Sequence, residues 1–156
     1  MTEIIMSLNG IHTSLQVIAV TGNNKKLFQQ LQELQAHVTY KLVVLAFVNN
    51  IHELMVISDV LISKPGGMTS AEALSMGLPM IIYRPIPGQE EGNTKFLLEK
   101  NVALRADSVE DLAILLNNLL ENKSGKLDTM MNNARALGRA YADKEIAQKL
   151  ITDYLL

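Results

Sequence analysis

Short apolar runs alternate with amphipathic segments along most of this 156-residue chain. The runs are rich in β-branched and large aliphatic residues, as buried strands are. Between them, apolar residues recur at helical spacing, as at Leu27, Leu31 and Leu34. Strands that alternate with helices pair in parallel through right-handed crossovers. The sequence therefore predicts an α/β fold, a Rossmann-like parallel sheet flanked by helices.

The predicted elements fill the chain without a repeat or a low-complexity segment, so we expect one domain, residues 1–156. The apolar content of 48% and charged content of 19% are ordinary for a globular protein. Strands are predicted at 15–21, 39–47, 60–62, 78–83 and 102–104. Helices are predicted at 2–9, 25–34, 51–58, from 69 onward, 94–100, 108–120, and twice within 127–154, with a break near Ala142 and Asp143.

The stretch from Ser63 to Asn93 holds all four prolines and five of the nine glycines. Pro65 stops the strand before it, and a glycine pair follows. The run from Thr69 to Glu72 has the spacing of a capping box, with a hydroxyl at the N-cap and a carboxylate three residues later. Glycines that lead into a helix N-terminus form a natural phosphate site. An ordinary strand-to-helix turn with a plain cap explains these residues equally well.

A polar loop follows the predicted strand at 78–83. It contains Gln89, Glu90, Glu91 and Asn93, side chains that suit hydrogen bonding to sugar hydroxyls. Open α/β sheets bind their ligands at the carboxyl ends of the strands, where this loop begins. The alternative is a solvated loop with a helix cap at Asn93.

The segment KPGGMTSAEALSMGLPMIIYRPIPGQEEGN closely resembles the donor-binding domain of the diacylglycerol glycosyltransferases. These are the processive diacylglycerol glucosyltransferases of bacteria and the monogalactosyldiacylglycerol synthases of plants. More distantly it is similar to the N-acetylglucosaminyltransferase of the lipid-linked peptidoglycan precursor. The resemblance covers roughly Leu15 to Leu120. It implies the C-terminal half of a GT-B glycosyltransferase, in which two Rossmann-like domains face each other across a cleft.

The resemblance also implies which residues hold a UDP-sugar. The diphosphate is bound by backbone N–H groups and a hydroxyl, the ribose by a carboxylate, and the uracil ring by backbone groups of an FVxN turn. The residues implied are Phe47 and Val48 for uracil, Gly66, Gly67, Met68 and Thr69 for the diphosphate, Glu72 for ribose, and Gln89, Glu90 and Asn93 for the hexose and its loop.

The implied reaction is transfer of a hexose to a lipid such as diacylglycerol, with inversion at the anomeric carbon. We expect no cofactor and no metal, because helix-terminus dipoles and N–H groups can neutralise the leaving diphosphate. In the family, one further strand and a glycine-rich loop open this domain, and the sequence shows neither. An acceptor domain with the catalytic base is likewise expected from elsewhere, on the same chain or on a partner subunit, so no catalytic residue is named. We therefore expect a cytoplasmic protein, peripheral at the inner face of the membrane through that domain, and self-association of the chain alone.

Composition excludes several other classes. A net charge of −2 argues against nucleic acid as a partner. The chain has no cysteine, and His12, His37 and His52 lie too far apart to suggest a metal site. No apolar run approaches the roughly 20 residues of a membrane span.

Three alternatives stay open from the sequence. The chain could be the donor-binding subunit of a two-chain glycosyltransferase, a domain similar to UDP-N-acetylglucosamine 2-epimerase, or a nucleotide-sensing module without chemistry. The GQEExN loop favours the transferase over the epimerase. The sugar and the acceptor remain undetermined.

Overall fold

The computed structural model describes residues 1–154, so the last two residues of the predicted 1–156 domain lie outside the described part. Helices and strands alternate as predicted, with two short 3-10 segments at Leu8–Gly10 and Gln35–His37. The elements are α1 Thr2–Ser7, β1 Gln16–Val20, α2 Lys25–Leu34, β2 Lys41–Leu45, α3 Ile51–Val56, β3 Leu61–Ser63, α4 Gly67–Ser75, β4 Met80–Tyr83, α5 Glu91–Glu99, β5 Ala103–Ala106, α6 Val109–Glu121, α7 Lys126–Leu137 and α8 Ala142–Tyr154.

All strand pairs are parallel, which confirms the predicted class, but the strands form two sheets. β1 pairs with β2, and β3, β4 and β5 form a second sheet in that order. A single sheet would require β1 or β2 to pair with the second sheet, and no such pairing occurs within residues 1–154.

The strand β4 forms the centre of the core. All four of its residues are buried, because β3 and β5 pair with its two edges. Ile81 packs on one side with Leu112 and Leu116 of α6, whereas Ile82 packs on the other with Ala73 of α4. Helices thus cover both faces of this sheet, as in a doubly wound fold.

The C-terminal ends of α4 and α5 share one capping geometry. At the end of α4, Gly77 has a φ of 66° and donates to Leu74 O, while Leu78 donates to Ala73 O. Asn101 repeats this at the end of α5, with a φ of 52°. This is the Schellman motif, which satisfies the last carbonyls of a helix and reverses the chain. Each motif therefore delivers the chain directly into the next strand of the sheet.

Two predicted helix starts were wrong. α4 begins at Gly67 with Gly66 as N-cap, and no side chain caps it. Thr69 and Glu72 consequently lie inside the helix and form no capping box. α5 begins at Glu91 with Glu90 as N-cap, so Asn93 is not a cap either.

The start of α6 confirms its prediction. The hydroxyl of Ser108 accepts from the Asp111 N–H at 3.0 Å, and the Asp111 carboxylate accepts from the Ser108 N–H at 3.2 Å. After α7, the chain breaks at 138–141, slightly earlier than predicted, and α8 has no buried residue. Within residues 1–154, no helix combines the length and apolar character needed to cross a membrane.

Candidate functional site

The turn between β3 and α4 is the centre of the candidate site. Only Lys64, Pro65 and Gly66 separate the strand from the helix. Gly66 is extended, with φ −61° and ψ 146°, and its carbonyl accepts the first helical hydrogen bond from Ser70 N–H at 2.8 Å. The short connection and the fixed φ of proline bring the helix start close to the carboxyl end of β3.

Three backbone donors at this helix start are unpaired. Within residues 1–154, no acceptor pairs with the N–H groups of Gly67, Met68 and Thr69. Such groups carry the positive partial charge of the helix dipole. The geometry can therefore hold an anion, as a nucleotide diphosphate requires.

The polar loop before α5 packs against this turn. The side chain of Asn93 donates to Pro65 O at 2.9 Å. A methyl group added to Gly66 would lie 3.9 Å from Oε1 of Glu90 and 4.0 Å from the hydroxyl oxygen of Thr69. The structure thus brings Gly66, Thr69, Glu90 and Asn93 together, although they come from two separate parts of the sequence.

Glu90 is buried although it lies in the polar loop. It is 8% exposed, and its Oε2 accepts a hydrogen bond from the Ile86 N–H at 2.6 Å. Its carbonyl also accepts from the Thr94 hydroxyl at 2.8 Å. Glu90 therefore holds the loop in shape, and its second carboxylate oxygen lies on the side of Gly66. Its neighbour Gln89 is exposed.

Glu72 lies one turn inside α4 and is partly exposed. Within residues 1–154, its carboxylate takes part in no hydrogen bond or ion pair. Because it is not used as a cap, it is available to accept hydrogen bonds from another group.

Phe47 and Val48 follow β2, in the other sheet. The ring of Phe47 is 66% exposed, which is unusual for a large aromatic residue beside a strand. A groove of about 270 Å³ runs along the carboxyl ends of β1 and β2, lined by Gly22, Phe28 and Ala46 among others. This groove reaches the residue before Phe47. Phe47 follows a strand of the first sheet, and the turn at Gly66 follows a strand of the second. No strand pairing within residues 1–154 joins the two sheets.

Sequence reasoning missed two features, one inside α4 and one directly after β4. The hydroxyl of Ser70 is buried in α4 and has no hydrogen-bond partner among residues 1–154. An unpaired buried hydroxyl is costly, by about 1–3 kcal/mol. Arg84, directly after β4, has a φ of 51°, which a side chain rarely adopts. It lies over the ring of Tyr83 and pairs with Glu3 of α1 at 3.6 Å. Neither feature has a signal in the sequence.

A second groove, of about 380 Å³, lies between α5 and β5. It is lined by Pro85, Lys95, Leu98 and Arg105 among others, and none of the predicted site residues lines it. Within the described residues, no group of three or more acidic or histidine side chains is placed to hold a metal ion.

Comparisons with known proteins identify the family and the fold. The profile of the glycosyltransferase family 28 C-terminal domain matches residues 2–150. A processive diacylglycerol beta-glucosyltransferase from Bacillus pumilus is 33% identical over 141 residues, covering 90% of this chain and 37% of that protein. Its Bacillus subtilis counterpart is 34% identical, covering 89% of this chain and 36% of that protein. The chain therefore spans little more than a third of these curated relatives.

Solved structures share the fold at lower identity. MurG from Acinetobacter baumannii superposes with a TM-score of 0.76 at 19% identity, covering 94% of this chain and 44% of that one. HepE from Anabaena, solved in complex with UDP-glucose, superposes with a TM-score of 0.68 at 19% identity, covering 97% of this chain and 44% of that one. At these identities the likeness establishes the fold alone, which this chain shares with 44% of each of those two chains.

Proposed function

This chain belongs to the glycosyltransferase family 28 C-terminal domain family, and from that premise we propose that it binds the UDP-sugar donor of a hexosyltransferase. The observation that carries the proposal is the uncapped start of α4. Its N–H groups of Gly67, Met68 and Thr69 are unpaired within residues 1–154, and Asn93 ties the polar loop to the same turn through Pro65 O.

The remaining roles follow from position along α4 and the neighbouring loops. Glu72 accepts hydrogen bonds from the ribose hydroxyls, a strong interaction because the acceptor is charged. Gln89 and Glu90 face the hexose, Asn93 supports their loop, and Phe47 and Val48 hold uracil through the backbone. The dipole of α4 stabilises the diphosphate as it leaves, without a change in protein structure.

We propose that the acceptor is a lipid such as diacylglycerol, as the names of the Bacillus relatives state for those proteins. The acceptor side and the catalytic base then come from an N-terminal domain or from a partner subunit. Such a protein would work in the cytoplasm, peripheral at the membrane where its acceptor is embedded. The 156-residue chain alone is expected to bind UDP and to transfer no sugar.

Isothermal titration of the chain with UDP and with ADP tests the donor site. We expect selective binding of UDP. Glu72→Gln should weaken it by about 10- to 100-fold, since a hydrogen bond to a charged group contributes about 1.5–3 kcal/mol. The thermal unfolding midpoint should stay unchanged, because Glu72 does not cap α4.

The matched control is Glu110→Gln, which removes the same charge from an exposed position in the first turn of α6. It should leave UDP affinity unchanged. Equal binding of UDP and ADP would contradict the recognition of uracil by Phe47 and Val48. An affinity that Glu72→Gln does not alter would contradict the assignment of Glu72 to the ribose.

A further inference from the structure

The strand β2 lies at the side of its sheet, and one of its edges has no neighbouring strand. In the described part of the chain, β2 pairs with β1 alone. Leu45 O accepts from the Thr21 N–H at 2.9 Å, so the backbone groups of Leu45 face β1. Because successive residues of a strand alternate in this direction, the backbone groups of Leu42, Val44 and Ala46 face the open edge.

Only the first half of this edge is blocked. The side-chain amide of Gln35 donates to Leu42 O at 2.9 Å. Lys41, at the start of the strand, is exposed, and a lysine on an edge strand discourages pairing with another chain. The backbone groups of Val44 and Ala46, by contrast, take part in no hydrogen bond among residues 1–154. The second half of the edge therefore offers free donors and acceptors, as strand addition requires.

The groove of about 270 Å³ lies beside this open half of the edge. The helix α2 covers the same face of the sheet, because Val44 packs in one cluster with Leu31 of α2. Ala46, two positions further along the strand, lines the groove together with Phe28 and Gln32 of α2. Since side chains alternate between the two faces of a sheet, every second side chain of a strand added here would point into the groove.

The charge of the groove indicates which kind of strand fits there. Lys25, in the first turn of α2, is exposed and is the only charged side chain among the described residues that line the groove. Its ammonium group has no ion-pair partner within residues 1–154. Glu33 is the only carboxylate of α2, and it does not line the groove. A segment with an apolar side chain over Phe28 and a carboxylate beside Lys25 therefore complements this surface.

We propose that the open half of the β2 edge binds an extended acidic segment of a partner protein as an added strand. The backbone of that segment pairs with Val44 and Ala46. One of its apolar side chains fills the groove over Phe28, and a carboxylate two residues away pairs with Lys25. The main-chain hydrogen bonds supply affinity and the groove supplies selectivity, as strand addition does in general. This inference rests on the edge of β2 and is independent of the proposed donor binding.

Amide hydrogen exchange with a designed peptide tests this docking. The probe is Thr-Glu-Thr-Ile-Thr-Glu-Thr with blocked ends, in which a glutamate lies two residues from the central isoleucine on each side. It presents the same side chains to the groove whether it lies parallel or antiparallel to β2. At saturating peptide, exchange at the amides of Val44 and Ala46 should slow by at least about tenfold. Exchange at Val43 and Leu45, whose amides face β1, should not change.

Charge reversal supplies the matched control. Lys25→Glu should weaken binding of the acidic peptide by at least about threefold and should favour a peptide with lysine in place of both glutamates. The variant should fold normally, because an acidic residue is favourable in the first turn of a helix. Lys26→Glu makes the same change at the adjacent residue, which does not line the groove, so the preference for the acidic peptide should persist.

Three results would overturn the proposal. Equal protection of the Val44 and Val43 amides without peptide would mean that the edge is already covered. Protection of Val44 that rises with protein concentration alone would assign the edge to a second copy of this chain. An acidic peptide that protects Val44 no better than its lysine form, or equally well in Lys25→Glu, would show that the groove does not recognise an acidic strand.

Discussion

The starts of α4 and α6 carry nearly the same sequence signal and have opposite structures. Each has a hydroxyl residue followed three positions later by a carboxylate, Thr69 with Glu72 and Ser108 with Asp111. At α6 the two side chains form both hydrogen bonds of a capping box. At α4 the helix begins two residues before Thr69, and no side chain caps it.

The difference lies in what precedes each pattern. Before α6, the chain leaves β5 through Asp107 and reaches an extended Ser108, which is free to cap. Before α4, Pro65 is held by Asn93, and extended Gly66 passes directly into the helix. The capped start of α6 satisfies its own N–H groups, whereas the start of α4 leaves three of them unpaired within residues 1–154, and we propose that a ligand binds them. The predictions that follow test this separation of stability from binding.

The largest effect is expected where α7 holds α4 in place. A Cβ at Gly138 would collide with the carbonyl oxygen of Leu74 in α4. Gly138→Ala should therefore force the two helices apart and lower the free energy of unfolding by about 2 kcal/mol. Urea denaturation measures this change in the free energy of unfolding. Gly92→Ala is the control, since an added Cβ meets nothing within 4 Å and should be neutral or stabilising. Equal midpoints for the two variants would show that the α4–α7 contact adjusts freely.

The next effect is loss of the α6 cap. Ser108→Ala removes the acceptor for the Asp111 N–H and should cost about 1 kcal/mol of stability. UDP affinity should not change, because the start of α6 has no part in the proposed site. A drop in UDP affinity equal to that of a site variant would mean that the two helix starts are not independent.

Thr69→Ala should show the reverse pattern. Its hydroxyl is not an N-cap, so the unfolding midpoint should move little. If it binds the diphosphate, its loss should weaken UDP about fivefold, as expected for one hydrogen bond of roughly 1 kcal/mol. Titration with UDP and urea denaturation of the same preparation separate an effect on UDP affinity from an effect on stability. A stability loss as large as that of Ser108→Ala, with unchanged UDP affinity, would restore the capping role that the sequence suggested.

The smallest effect concerns the C-terminal end of α1, where a side chain from a distant part of the sequence hydrogen-bonds a backbone carbonyl. The hydroxyl of Tyr40 donates to Ile5 O at 2.6 Å, and partial burial raises the pKa of Tyr40 from its ordinary 10.0 to about 12. Because the pKa is higher in the folded state, this contribution to stability is complete below pH 10 and is lost as pH rises toward 12. Urea denaturation across this range measures the loss. Tyr40→Phe should lack this component of the pH dependence, and an identical alkaline profile for both proteins would contradict it.

Several elements were predictable from local sequence. The bounds of α2 and the cap of α6 follow from periodicity and from a side chain that acts within its own turn. The strand positions were predicted within a few residues, because the apolar runs are bounded by turn residues. The glycine turn and the GQEExN loop were placed at strand ends, where the structure has them.

Other features depended on contacts between distant segments. α5 begins at Glu91 and so includes Asn93, whose side chain donates to Pro65 O, 28 residues earlier. Glu90 was predicted as a sugar ligand from its place in the polar loop, and the structure adds that its carboxylate accepts from the Ile86 N–H and holds that loop in shape. No local pattern reports a partner that lies so far away in the sequence.

The sequence by itself determined the fold class and the family, because strand periodicity, turn residues and the order of the motif are local properties of the chain. Only the tertiary structure decided which helix start is capped, which polar residues meet at Gly66, and that the strands divide into two sheets. Those outcomes depend on which distant groups compete for the same backbone donors and acceptors, and that competition exists only once the chain is folded.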